Sequence, residues 1–231
     1  MRRIVFLGTT LALVSLAACG EGTTDNASAS PTTTVTASAS ASARAAGPIP
    51  RAGLLQPSDL NGAAMAPVDG DVGKDLRPPR PCGGAHPSDP ARLESIAMTA
   101  PMTPANGPGG TVPSVILETI VRYGPGSGAP AFADLRSALQ RCPGAIGEDK
   151  RNWEIVGDID AGDEAFVFRT STQTTYGDSP DLTTQTWPVA VARVGDDLVL
   201  IGDLGWENMS GEEPVVRTLV TTAVERLRAA S

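Results

Sequence analysis

Histidine is almost missing from this sequence. His86 is the only one in 231 residues, so the histidine pairs common in zinc sites cannot be assembled. A single imidazole also remains for any catalytic pair with serine or cysteine. It sits in Gly83-Gly84-Ala85-His86-Pro87, a loop by composition, where a solvated ring is the expected state. Aromatic residues are scarce at 4%. The longest apolar stretch, residues 4–18, is about 15 residues long, short of the roughly 20 that a helix needs to cross a bilayer. No nucleophile elbow appears, and neither the Gly-rich loop, the His-Arg-Asp loop nor the Asp-Phe-Gly of a kinase is present. Basic side chains are outnumbered, with 18 Lys and Arg against 26 Asp and Glu, for a formal charge of −8. An acidic domain is repelled at long range by nucleic acid and by anionic lipid head groups. Neither is expected to bind the folded part.

What is present at the start is a secretory layout. Arg2 and Arg3 precede the apolar run, and Leu16-Ala17-Ala18-Cys19 resembles the bacterial lipobox. Residues 1–18 are expected to be a lipoprotein signal peptide, with cleavage before Cys19 and attachment of lipid to its sulfur. The anchor at Cys19 would tie the chain to the membrane on its extracytoplasmic face, since two or three acyl chains hold firmly where one does not. Residues 19–52 read as a tether: from Ala27 to Ala46 only Pro31, Val35 and Arg44 interrupt Ala, Ser and Thr. Such a composition buries too little apolar surface to order itself, and as a flexible coil it spans roughly 30 Å. Residues 53–231 are left as one domain of a size that can bury a single core.

If Cys19 carries lipid, two cysteines remain, Cys82 and Cys142. In an oxidising compartment they have one possible pairing; the alternative is two buried free thiols. In the domain, a short capped helix is expected over Leu54–Leu60, with Ser58 as cap. Strands are expected at Leu93–Thr99, Val112–Tyr123, Trp153–Ile159, Glu164–Thr172, Thr186–Val194 and Asp197–Leu204, with a tight turn at Gly195-Asp196-Asp197. Helical spacing marks Pro130–Cys142, through Phe132, Leu135 and Leu139, and Glu212–Ala229, whose acidic start and basic end suit the helix dipole. Strands in series without alternating helices predict an α+β domain: an antiparallel sheet of five to six strands, with helices packed mainly on one face.

The chain resembles the PknH-like extracellular sensor domain of actinobacteria, which occurs at the outer end of a receptor kinase and as free-standing lipoproteins. The likeness lies in Leu54-Leu55-x-x-x-Asp59-Leu60, Pro81-Cys82, Arg122-Tyr123, Ala131-Phe132-x-x-Leu135, Cys142-Pro143, Arg193-Val194-Gly195-Asp196-x-Leu198 and the long last helix. It implies an antiparallel sheet flanked by helices, disulfide bonding and a groove for an extracellular ligand. The chain departs from the kinase sensor in having one possible disulfide rather than two.

Candidate chemistry is sparse. Asp158, Asp160, Asp163 and Glu164 gather in one turn, where carboxylates normally face water; they offer oxygens to calcium, but not at EF-hand spacing. Ser88 lies near His86 without an orienting third group. Trp153, Trp187 and Trp206 fall near strand ends, where they pack into the core or line a pocket for an apolar or sugar ligand, with Tyr176 in a loop at its rim. No cofactor or metal is expected. The leading expectation is a non-enzymatic, lipid-anchored sensor or ligand-binding domain of the cell envelope. The rivals are a lipoprotein that binds another envelope protein and, third, an envelope hydrolase.

Overall fold

Alternating apolar residues build seven strands: β1 (Ala66–Pro67), β2 (Arg92–Met102), β3 (Ser114–Tyr123), β4 (Asn152–Asp158), β5 (Glu164–Thr175), β6 (Leu182–Val194) and β7 (Asp197–Asp203). Two helices accompany them, α1 (Gly128–Arg141) and α2 (Glu213–Ala229), with 3-10 turns at Arg51–Gly53, Pro57–Asp59 and Asp89–Ala91. The computed structural model describes residues 47–68, 77–103, 113–144, 151–175, 181–207 and 209–231. All lie in one compact unit, Ser42–Ser231.

The strands form a single antiparallel sheet in the order β1-β2-β3-β7-β6-β5-β4. Two meanders are thus joined at β3–β7, and α1 carries the chain from β3 to the far edge at β4. The strand count is seven rather than five to six. The strand missed from sequence is β1, two residues paired with Thr99 and Met98. It is too short to show any alternation, and its proline is tolerated because it lies on an edge.

The helices lie on opposite faces of the sheet, not mainly on one. Val216, Leu219, Val220, Ala223, Val224 and Leu227 of α2 pack with Ala190, Ala192, Val199 and Ile201. Phe132, Leu135 and Leu139 of α1 pack with Val191, Leu198, Leu200 and Phe166 on the other side. The physical reason is in β7, where all seven residues are buried. A strand apolar on both sides needs cover on both sides.

The folded part begins before residue 53. Ile49 is buried in the α2-side core, its N–H donates to Glu94 (2.8 Å), and Arg122 donates to the Gly47 carbonyl. Around Pro57–Asp59 the cap is not Ser58: the Asp59 carboxylate accepts the Gln56 N–H at 2.8 Å and pairs with Arg226 of α2. Cys82 and Cys142 form a disulfide, with Cα atoms 5.3 Å apart. It fastens the loop before β2 to the end of α1.

Candidate functional site

On the α1 face, the helix covers only the half of the sheet that holds Val121, Leu198, Val191 and Phe166. The other half is the floor of a cavity of about 620 Å³, and no residue of α1 lines it. Strand register explains the floor. Leu117 of β3 lies opposite Gly202 of β7, which lies opposite Val189 of β6, which lies opposite Phe168 of β5. The second row is Trp187, Thr170 and Trp153, on β6, β5 and β4. Directly opposed residues have Cβ atoms about 5 Å apart, so two indoles flank one threonine. Thr170 is 6% exposed, and its Oγ1 is buried with no hydrogen-bond partner among the described residues. An orphaned hydroxyl of this kind is costly to bury, and this one lines the cavity.

The walls come from loops. Arg77, Pro79 and Arg80 precede the disulfide, Arg151 precedes β4, and Leu204 and Glu207 follow β7. Arg80 pairs with Asp89, yet its Nε is buried without an acceptor among the described residues. The guanidinium of Arg151 stands 5.8 Å from the centre of the Trp187 ring, within cation–π range. Among the described residues Glu207 is the only acid in the lining.

His86 is not a solvated ring. It is 7% exposed, and its Nε2 lies 2.9 Å from the Pro79 carbonyl. Its N–H donates to Asp89 (2.9 Å), and the Ser88 N–H donates to Asp134 of α1 (2.9 Å). His86 and Ser88 are buried in a loop whose Gly83, Gly84, Ala85 and Pro87 are exposed, and loop composition alone does not reveal which residues turn inward. His86 therefore fixes the backbone of the cavity wall. It contacts no nucleophile in these bonds.

Of the three tryptophans, Trp153 and Trp187 share the cavity. Trp153 also packs on Phe168, with ring centres 6.1 Å apart. Trp206 stands outside the lining, 38% exposed. Tyr176 and Cys19 lie outside the described residues. In the acidic turn, Asp158 pairs with Arg136 (2.8 Å), Asp163 with Arg193 (3.0 Å) and Arg228 (3.2 Å), and Glu164 with Arg193 (2.8 Å), while Asp160 is exposed. Those carboxylates face guanidinium groups, and among the described residues no cluster of three His, Cys, Asp or Glu is placed to hold a metal. Nor is any described helix long and apolar enough to cross a membrane.

Three arginines and Thr170 were missed by sequence reasoning. The arginines carry no local signal, because loops bring them together. Thr170 had one: in Phe166, Phe168, Thr170 the inward series changes from aromatic to polar beyond the part of the strand that the helix covers.

On the opposite face the strongest electrostatic perturbation is Glu118, which is fully buried. Burial pushes its carboxyl up to about 8, against the lowering effect of the Leu55 N–H. That N–H reaches both oxygens, at 3.0 and 3.2 Å.

The cavity offers donors and apolar surface. Two threonine hydroxyls line it, but among the described residues no histidine, cysteine, lysine or aspartate accompanies them. Against protein-family models, curated proteins and solved structures alike, the chain finds no match.

Proposed function

We propose that this chain is a non-enzymatic ligand-binding or sensor domain, held by lipid on Cys19 at the extracytoplasmic face of the cell membrane. The observation that carries the binding part is the cavity on the uncovered half of the α1 face, with Thr170 unpaired between Trp153 and Trp187. Its size falls within the range of small-molecule sites, and its mix of an apolar floor with a few polar groups is what such sites use. The lipobox, the tether and the resemblance to PknH-like sensor domains support the placement outside the membrane. Among its described residues the lining pairs no nucleophile with a base, which fits binding better than turnover.

Native mass spectrometry of the chain taken from its own envelope tests the reading. A co-purified small molecule that is lost from the Trp187→Ala variant is the expected result. A bare chain, with a stoichiometric protein in its place, would favour the interaction lipoprotein instead. That rival has Trp206 and Met209 in its favour, both exposed and joined in one turn by a 2.8 Å backbone hydrogen bond. Metabolic labelling with a fatty acid checks the anchor: label is expected on the wild type and absent from Cys19→Ser.

A further inference from the structure

What the cavity walls omit narrows the ligand as much as what they hold. A sugar presents hydroxyls that need acceptors as well as donors, and protein sugar sites meet that need with carboxylates and amides. Among the described residues the lining has no Asn, Gln or Asp and only one Glu. A cationic ligand would seek the indole faces, but the Arg151 guanidinium already stands over Trp187 and repels a second positive charge. Among the described polar groups of the lining donors predominate: the guanidinium groups of Arg77, Arg80 and Arg151, with the Thr119 and Thr170 hydroxyls able to donate or accept and Glu207 the one acceptor without a proton to give. Arg80 Nε and Thr170 Oγ1 are both buried without a partner among the described residues. Buried donors in that state require an acceptor.

The charge distribution points the same way. The chain as a whole carries a formal −8, yet its cavity lining holds three arginines and one glutamate. Even with Asp89 paired to Arg80, a lining rich in guanidinium groups over low-dielectric walls favours a ligand of the opposite charge. The floor below is apolar, formed by Leu117, Phe168, Val189 and Leu200 between the two indoles.

We propose that the cavity takes an anion-headed amphiphile: an apolar or aromatic body lying on the sheet, and a carboxylate or phosphate head received by the arginine rim. This rests on the reading of the cavity as a binding site. The body supplies burial against the floor, while the head supplies charge-assisted hydrogen bonds to guanidinium groups that are built for planar oxyanions.

The test uses the full chain reconstituted in phosphatidylcholine nanodiscs, with empty discs as the blank. It is titrated with octanoate, octyl phosphate, octyl glucoside and octyltrimethylammonium, and tryptophan emission is followed. At least one of the two anionic probes is expected to bind about tenfold more tightly than octyl glucoside, a difference worth one charge-assisted hydrogen bond. The tighter of the two identifies the head as carboxylate or phosphate. The Arg77→Gln, Arg151→Gln double variant should lose this preference, its affinity for the anionic probe falling to that for octyl glucoside. If octyl glucoside or the ammonium probe binds as well as the anions, the ligand class is wrong and the binding site stands. If no probe changes the emission of the wild type or of Trp153→Phe with Trp206→Phe, where Trp187 reports alone, the cavity is not a binding site and both readings fall.

Discussion

The two faces of the sheet are closed in different ways. The α2 face is sealed by bulk: six apolar residues of one helix, together with Leu54, Leu55 and Leu60 from the entering chain, form one core cluster with the inward residues of β2, β3, β5, β6 and β7. The α1 face is half sealed, and its helix depends on connections at its two ends. The Cys82–Cys142 disulfide fastens its C-terminal end, and the β6–β7 turn receives its N-terminal end. A face closed by burial gains stability in proportion to apolar area removed from water. A face closed by point attachments can leave surface open, and here the open surface is the cavity. Stability and binding are therefore written on different sides of one sheet.

Breaking a point attachment is expected to have the largest effect. Closing a loop of 60 residues contributes about 4 kcal/mol in the chain-entropy model. Reduction, or Cys82→Ser with Cys142→Ser, should lower the stability measured by urea unfolding by up to that amount and shift tryptophan emission to the red as the wall by Arg80 loosens. An unchanged midpoint would mean that Asp89, His86 and Asp134 hold the wall unaided. Next in size is a matched pair of truncations. Ile120→Ala removes a fully buried side chain from the α2-side core and should cost about 3 kcal/mol. Trp187→Ala, on the cavity floor and only partly buried, should cost about 1 kcal/mol and abolish ligand binding. Equal costs for the two would end the division between the faces.

Legibility in the sequence follows the same division. Both helices and six strands were readable because each buries one regular stripe: Val216 to Leu227 every third or fourth position, and Phe166 and Phe168 every second. The bilateral burial of β7 was readable too, since Asp197–Asp203 has an unbroken apolar run, although it was not used to place a helix on each side. Trp153 and Trp187 could be named as candidates, but not their convergence on Thr170, which depends on the register of three strands. Arg77, Arg80 and Arg151 were out of reach. Their proximity is set by a disulfide and by loops that carry no period.

The α2 face should also be the pH-sensitive one. The folded pKa of Glu118 is raised to about 8 by burial, so the native state holds a proton that the unfolded chain releases near its ordinary carboxylate value. Stability from this group is present at low pH and is lost as pH rises through the interval up to about 8. Asp59 works in the opposite sense. Its hydrogen bonds to Arg226 hold it below its usual value of 3.8, so its contribution is lost only as pH falls below about 4. Between pH 5 and pH 7 Glu118 dominates, and stability should fall by on the order of 2 kcal/mol as pH rises. Urea unfolding of wild type and Glu118→Gln across that range checks this: the variant should be nearly flat, and a wild type that gains stability towards pH 7 would contradict it.

The smallest expected effect probes the second attachment of α1. Ser127, at the N-terminal boundary of that helix, makes no side-chain capping bond. The exposed amides are served from elsewhere: Asp196, in the turn between β6 and β7, accepts the Gly128 N–H at 3.0 Å and the Gly126 N–H at 3.1 Å. Its carboxylate also opposes the positive end of the helix dipole. The contact is close enough to require glycine, because a Cβ on Gly128 would come within 2.5 Å of the Gly195 carbonyl. Asp196→Ala should cost about 1 kcal/mol, as other lost caps do, and Asp196→Asn less, since it keeps one acceptor but not the charge. Hydrogen exchange in the first turn of α1 is the sharper measure, and protection there should fall while α2 is unaffected. If exchange rises equally in both helices, α1 is held by its apolar face as α2 is, and the contrast between the faces reduces to the presence of the cavity alone.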